Sequence, residues 1–294
     1  MSRPAGSSEW RPGSTRDVTI ITVQYRNFAD TRTFVTSLAA LDDSRHCELV
    51  IVDNDESGTG AADLESIRDM GPFPVHLMRP SRNLYYWGGA AYALEQLSKS
   101  AAPRPRWVII CNNDVTFADA SFLARLRALD VVHFPIVAPT IVSEATGRDQ
   151  NPFLIVPAGR LKRLKWRVYD VGYPIATTML AIHGLAKRMA APLSHALRRP
   201  AGEAKRRQIY APHGAFVILS EAFFQRGGAL DTTVPMFAEE LTIAALAQRL
   251  SLPVWHVPEL KVSHREHSTT GVGLTKPKYE LERLARRHYY DLRV

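Results

Sequence analysis

Between Asp17 and Pro139, short apolar runs alternate with stretches whose apolar residues recur at helical spacing. This alternation restricts the possible folds more than any other feature of the chain. VTIITVQY opens the series. A helix predicted from about Ala29 to Leu41 carries Phe34, Leu38 and Leu41 on one face. ELVIVD, a loop with a short helix, VHLM, a helix from Gly89 to about Lys99, and WVIICN follow. Strands separated by helices need crossover connections, which predicts an α/β fold with a mostly parallel, Rossmann-like central sheet flanked by helices. In such sheets ligands bind beyond the carboxyl ends of the strands. The segments to inspect are therefore Gln24 to Asn27, Asp53 to Asp55, Arg79 to Asn83 and Asn112 to Asp114, all strongly polar.

After Pro139 the regularity fades. A basic segment intervenes before order returns at YAPHGAFVILS, followed by a helix (EAFFQRGG), an acidic helix start (FAEELTIAALAQRL), a strand (LPVWHVP) and a charged terminal helix. The predicted organisation is a disordered lead-in at 1–16, an α/β half at 17–140, a basic amphipathic insert at 141–208, a second ordered half at 209–275, and a C-terminal helix at 276–294. All belong to one domain.

The net charge of +8 suggests an anionic partner, but it is local. Residues 160–207 hold twelve Lys or Arg against Asp170 and Glu203, so the rest of the chain is net −2. No nucleic-acid-binding module or metal knuckle accompanies the charge, and nucleic acid is not expected as a partner. Leu, Trp, Tyr and Met interleave with the cations. This suits a helix or helical pair lying on an anionic membrane surface, though a solvated basic face or a diphosphate pocket would read alike. The apolar stretch from Val171 to Ala186 is interrupted by Pro174, His183 and Gly184 and falls short of the ~20 residues a spanning helix needs. Cys47 and Cys111 sit inside strand-like runs, without disulfide or metal spacing. The first residues show no apolar core of signal-peptide length. A cytoplasmic protein, peripheral on the inner face of the membrane, is the expectation.

Three patches carry candidate chemistry. In CELVIVDNDESGTG, Asp53 stands at a strand end where a carboxylate can accept from base or ribose groups, while Asp53, Asn54 and Asp55 also suit a plain turn. In RPSRNLYYWGGAAYALE, Asn83 precedes Gly88 and Gly89. That pair lets backbone approach a ligand and opens a helix whose amides favour an anion. In WVIICNNDVTF an apolar strand ends in Asn112, Asn113 and Asp114, hard oxygen donors suited to a divalent cation.

In this order the patches resemble the inverting family 2 glycosyltransferases of the GT-A fold, in particular the rhamnosyltransferase-like branch that extends bacterial surface polysaccharides. The resemblance covers roughly Val18 to Thr270 except the basic insert. It implies a nucleoside diphosphate sugar donor, a glycan or lipid-linked glycan acceptor, and Mg²⁺ or Mn²⁺ as cofactor. Gln24, Tyr25, Asp53, Asn83, Gly88, Gly89, Asn112 and Asn113 would bind the nucleotide sugar. WVIICNND is similar to the family's DxD motif in its NxD form, with Asp114 on the metal; Leu84 and Tyr85 depart from the small residues usual after the asparagine.

The downstream half matches too, in its Gly214-Ala215 pair, its acidic helix start and its terminal V-x-H. Glu240 stands where the family has its base, with Glu239 as alternate, although acids in a first helical turn also serve the helix dipole alone. His264 matches a histidine that ligates the metal or contacts the diphosphate, His267 is near enough to substitute, and His213 is a lesser candidate on the acceptor side. Two rivals stay open. A sugar-phosphate nucleotidyltransferase would open with a Gly-rich basic loop that VQYRNFAD lacks, and a catalytically degenerate scaffold would explain Asn112 in place of a first carboxylate.

Overall fold

The computed structural model describes residues 17–99, 104–196, 205–266 and 273–292, with side chains left aside at 186–196. The expected lead-in at 1–16 and His267 lie outside the described residues, as does part of the basic segment.

The first half follows the alternation: β1 (Val18–Gln24), α1 (Phe28–Ala39), β2 (Cys47–Asp53), α2 (Ala61–Glu65), β3 (Val75–Met78), α3 (Tyr85–Ser98) and β4 (Trp107–Asn112). Then come β5 (Val115–Phe117), α4 (Phe122–Arg127), β6 (Ile136–Ser143), α5 (Arg160–Tyr169), α6 (Tyr173–Ala196), β7 (Arg207–Ile209) and β8 (Phe216–Ser220). The chain closes with α7 (Glu221–Gln225), α8 (Glu239–Arg249), β9 (Val254–His264) and α9 (Lys276–Asp291). The strands form one sheet in the order β3-β2-β1-β4-β8-β6-β9-β5, with β7 paired to β9. β1 to β4 run parallel; β8 is antiparallel to β4 and β6, and β6 is parallel to β9. The sheet is therefore mostly parallel in strand direction, as expected, with β5, β7 and β8 reversed.

Both faces of the sheet are covered, which explains why its strands read as almost unbroken apolar runs. Val18 and Ile20 of β1, with Leu49 and Ile51 of β2, pack beneath Phe34 and Leu38 of α1 and Phe122 and Leu126 of α4. The alternate residues, Ile21 with Val50 and Val52, meet Trp87 and Ala90 of α3 and Ile243 of α8 on the other face. A smaller cluster joins α8 to α9 through Leu241, Ala244 and Tyr289, where the Tyr210 and Tyr289 hydroxyls share a 2.8 Å hydrogen bond. Cys47 and Cys111 are buried as thiols.

Two local expectations change. Strand structure does not stop at Pro139: β6 continues to Ser143, with its register to β9 shifting between Pro139 and Thr140, and an irregularity is where a strand tolerates proline. On β9 the residues opposite are Val257 and Lys261, so three extra residues, beginning with Pro258, bend the strand. Gly88 and Gly89 do not open α3; the helix starts at Tyr85, which adopts φ +60. The basic segment folds as two helices, α5 and α6. Among the described residues no helix is long and apolar enough to cross a membrane.

Candidate active site

Because β1, β2 and β4 are parallel and in register, with Gln24 opposite Asp53 and Val23 opposite Asn112, the polar residues after each strand line up along one sheet edge. β8 runs back along β4, so the residues before it, Gly214 and Ala215, come to the same edge; Asn112 N donates to Ala215 O at 2.9 Å. The bent β9 supplies the last side. Its terminal His264 pairs with Val115 of β5, and Arg265 N donates to Asp114 O at 3.0 Å. Antiparallel pairing of these short segments thus joins residues 150 positions apart.

The result is a cleft of about 490 Å³ lined by Tyr25, Asn83, Asn112, Asn113, Asp114, His213, Glu239, Glu240 and His264. Gln24, Asp53, Gly88 and Gly89 do not line it. Asp53 is buried behind the wall, accepting from Gln24 Nε2 at 3.1 Å, Arg79 Nε at 3.1 Å and the Asp55 amide at 3.2 Å. Gln24 also accepts from the Asn27 amide at the head of α1. Gly89 lies inside α3, where a Cβ would come within 3.1 Å of the Val23 methyls, so it sets how closely α3 presses on β1. Asn113 turns its amide to α1, donating to Asn27 O at 3.1 Å and Thr31 Oγ1 at 2.9 Å.

His264 Nε2 stands 3.2 Å from Asp114 Oδ1, and both side chains are nearly buried. The other ring nitrogen, Nδ1, lies 2.8 Å from Gln150 Oε1. An amide oxygen only accepts, so Nδ1 carries a proton and Nε2 is left facing the carboxylate with either a second proton or a lone pair. A lone pair against a carboxylate is repulsive unless a cation lies between them. One carboxylate oxygen and one imidazole nitrogen would suit a borderline or hard divalent ion that takes its other ligands from outside the protein. Among the described residues no cluster of three or more His, Cys, Asp or Glu forms a closed cage.

At the opposite wall α8 begins with Glu239 and Glu240, which the fold presses against Gly214. Gly214 N donates to Glu240 Oε1 at 3.1 Å, and a Cβ on residue 214 would sit 2.9 Å from that oxygen. Only glycine lets the carboxylate come so near without displacement. Burial first and the charge of Glu240 second push Glu239 up to about 8, against the pull of backbone amides at the helix start. It is a carboxylic acid at neutral pH. His213 is held below its usual range by burial. Its Nδ1 accepts from Ala215 N at 3.2 Å, which puts the proton of the neutral ring on Nε2.

Sequence reasoning missed several lining residues: Asn54, Tyr85, Tyr86, Gln150, Met236, Phe237 and Glu266. Asn54 spans the loops, donating to Tyr85 O at 2.8 Å while its Oδ1 accepts from Leu84 N at 3.3 Å. Tyr86 donates to Gly214 O at 3.0 Å, tying α3 to the wall where α8 begins. Tyr85, Phe237 and Glu266 all adopt positive φ without being glycine. Backbone strain of this kind gathers at functional sites, and no residue type announces it.

No protein-family model and no curated protein sequence matches the chain. Solved structures do. The mannosyltransferase PcManGT from Pyrobaculum calidifontis, in complex with GDP-Man and Mn²⁺, superposes with a TM-score of 0.52 at 13% identity, over 97% of this chain and 73% of that one. GalNAc-T7 with UDP, GalNAc and Mn²⁺ gives 0.58 at 12% identity, and S. aureus TarS (residues 1–349) gives 0.53 at 12%. These two matches cover 94% and 85% of this chain, which spans 49% and 60% of their lengths. At such identities the likeness is one of architecture: the chain has the GT-A fold of nucleotide-sugar glycosyltransferases.

Proposed function

We propose that the protein is a metal-dependent inverting glycosyltransferase that moves a sugar from a nucleoside diphosphate sugar to an acceptor hydroxyl. We assign it to the family 2, rhamnosyltransferase-like group that builds bacterial surface polysaccharide or glycolipid. The observation that carries the reading is one cleft at the carboxyl ends of the parallel strands, holding both the Asp114 and His264 pair and the Glu239 and Glu240 pair. Similar folds solved with GDP-Man and Mn²⁺, and with UDP, GalNAc and Mn²⁺, support it.

In this reading Tyr25, Asn83, Asn112 and Asn113 receive the nucleotide sugar. Gln24 and Asp53 hold the wall behind it, Asp53 acting through Arg79, while Gly88 and Gly89 set the approach of α3. Asp114 and His264 hold Mg²⁺ or Mn²⁺, which when bound neutralises the charge developing on the departing diphosphate. Glu240 takes the acceptor hydroxyl's proton as that oxygen bonds to the anomeric carbon, and the bond to the diphosphate breaks with its electron pair leaving on phosphate oxygen. Protonated Glu239 is a poor base, which favours Glu240, and the Nε2–H of His213 is available to orient the acceptor. The acceptor is a glycan or lipid-linked glycan, met at the inner membrane surface through the basic segment 160–207.

The test is Glu240→Gln, an uncharged near-isostere. It should retain metal-dependent diphosphate binding while losing transfer by about 10²-fold or more. Full activity in this variant would remove the base assignment.

A further inference from the structure

A second cavity, of about 380 Å³, opens between α5, α6 and the start of α9, lined by Lys165, Trp166, Tyr169, Leu180, Lys278 and Arg286 among others. Its aromatic floor is fixed. Trp166 packs against Tyr289 and Tyr290, Tyr169 packs against Tyr279, and Tyr169 Oη donates to Glu282 Oε2 at 3.0 Å. Arg286 lies over the Tyr169 ring and is held by Asp170 at 2.7 Å and Glu282 at 3.5 Å. Glu282 also lines the cavity but is engaged by Tyr169 and Arg286, while Lys165 and Lys278 are in no ion pair among the described residues, which leaves their ammonium groups available to an anion. Lys278 Nζ also sits 5.9 Å from the ring centre of Phe237, a residue lining the main cleft. Lys278 thus stands between this cavity and Phe237 of the cleft.

Beside Lys165, which lies one turn from Leu161 on α5, a stripe of apolar residues stands largely exposed. Leu161, Leu164, Val168 and the following Val171, spaced three, four and three residues apart, are 82%, 56%, 42% and 66% exposed. Arg160, Lys162, Arg163 and Arg167 flank the stripe, and the first acid after them is Asp170. On α6, Ile182 and Leu185 are 64% and 61% exposed. An apolar stripe edged by cations suits the boundary of an anionic lipid layer, whereas a protein partner would need complementary acids along the same edge.

From this juxtaposition we propose that the cavity is an acceptor subsite for an anionic amphiphile: Lys165 and Lys278 take its phosphate, and its chain lies along the apolar stripe of α5. The inference deepens the transferase reading and rests on it for the link to the cleft, but not for the binding itself.

Dodecyl phosphate, inorganic phosphate and dodecyl maltoside are titrated separately into the full chain below micelle formation, followed by calorimetry. Dodecyl phosphate should bind saturably and the other two far more weakly. Lys165→Glu should weaken dodecyl phosphate by about tenfold or more, and Leu164→Ser, uncharged and at a largely exposed position, should weaken it while leaving inorganic phosphate unchanged. Equal binding to wild type and Lys165→Glu would overturn the location. Inorganic phosphate binding as tightly as dodecyl phosphate would overturn the amphiphile in favour of a soluble anion. No binding by any probe would overturn the subsite. The melting shift given by a nucleoside diphosphate should persist in Lys165→Glu, so loss of the subsite and loss of the transferase reading are separate outcomes.

Discussion

Glu239 couples the stability of the protein to pH, and its size can be worked out. The side chain is 8% exposed, and burial with the charge of Glu240 raises it from an ordinary 4.5 to about 8. Between those values the folded protein holds a proton that the unfolded chain has released. A raised native value means that the contribution is fully present below the unfolded value and is lost as pH rises through the folded one. Stability should fall by about 1.4 kcal/mol per pH unit across the interval, about 3–5 kcal/mol in all. Glu239→Gln keeps the shape and removes the titration. Urea unfolding of both proteins from about pH 5 to about pH 9 isolates the group, because the other titrations are largely shared. The variant should gain on the wild type steadily as pH rises. Parallel stability profiles would refute the claim that the acid is buried and neutral. Glu240→Gln removes the second contribution, so the step should move to lower pH in that background.

Three further outcomes follow from the cleft. Gly214→Ala places a methyl 2.9 Å from Glu240 Oε1, so it should cut transfer by about tenfold or more with little change in melting temperature, measured by a transfer assay beside a thermal melt. Gln150→Ala frees His264 Nδ1 without touching a ligand and should weaken Mn²⁺ by about 10- to 100-fold, read by metal titration of the diphosphate-bound protein. Asp114→Ala should abolish metal-dependent diphosphate binding, which calorimetry with and without Mn²⁺ would register.

Much of the fold was legible because its signals are local. VTIITVQY, ELVIVD, VHLM and WVIICN match β1 to β4 to within one residue at each end, since strands covered on both faces must be apolar throughout. The acids of EELTIAALAQR similarly marked the start of α8. What stayed hidden was non-local. β5 is three residues long, and its value lies in pairing with β9, which no periodicity reveals. That pairing brings Asp114 to His264, while Gln150, in the segment that follows β6, sets the histidine's tautomer. The role of Gly89 was misplaced by one helical turn because Asn54 and Asn83 start α3 at a strained tyrosine, a hydrogen-bonding arrangement rather than a sequence preference. Asp53 likewise lies behind the cleft wall, where Gln24 and Arg79 engage its oxygens.

The central claim is that this cleft binds a nucleoside diphosphate through a divalent metal. Thermal melts of the purified protein with UDP, dTDP, GDP and CDP, each with and without Mn²⁺, test it most directly. One diphosphate should stabilise the protein only when Mn²⁺ is present, by about 2.7 kcal/mol at a hundredfold excess over its dissociation constant. No shift with any of the four, with or without metal, would contradict the account and leave the GT-A fold serving as a scaffold.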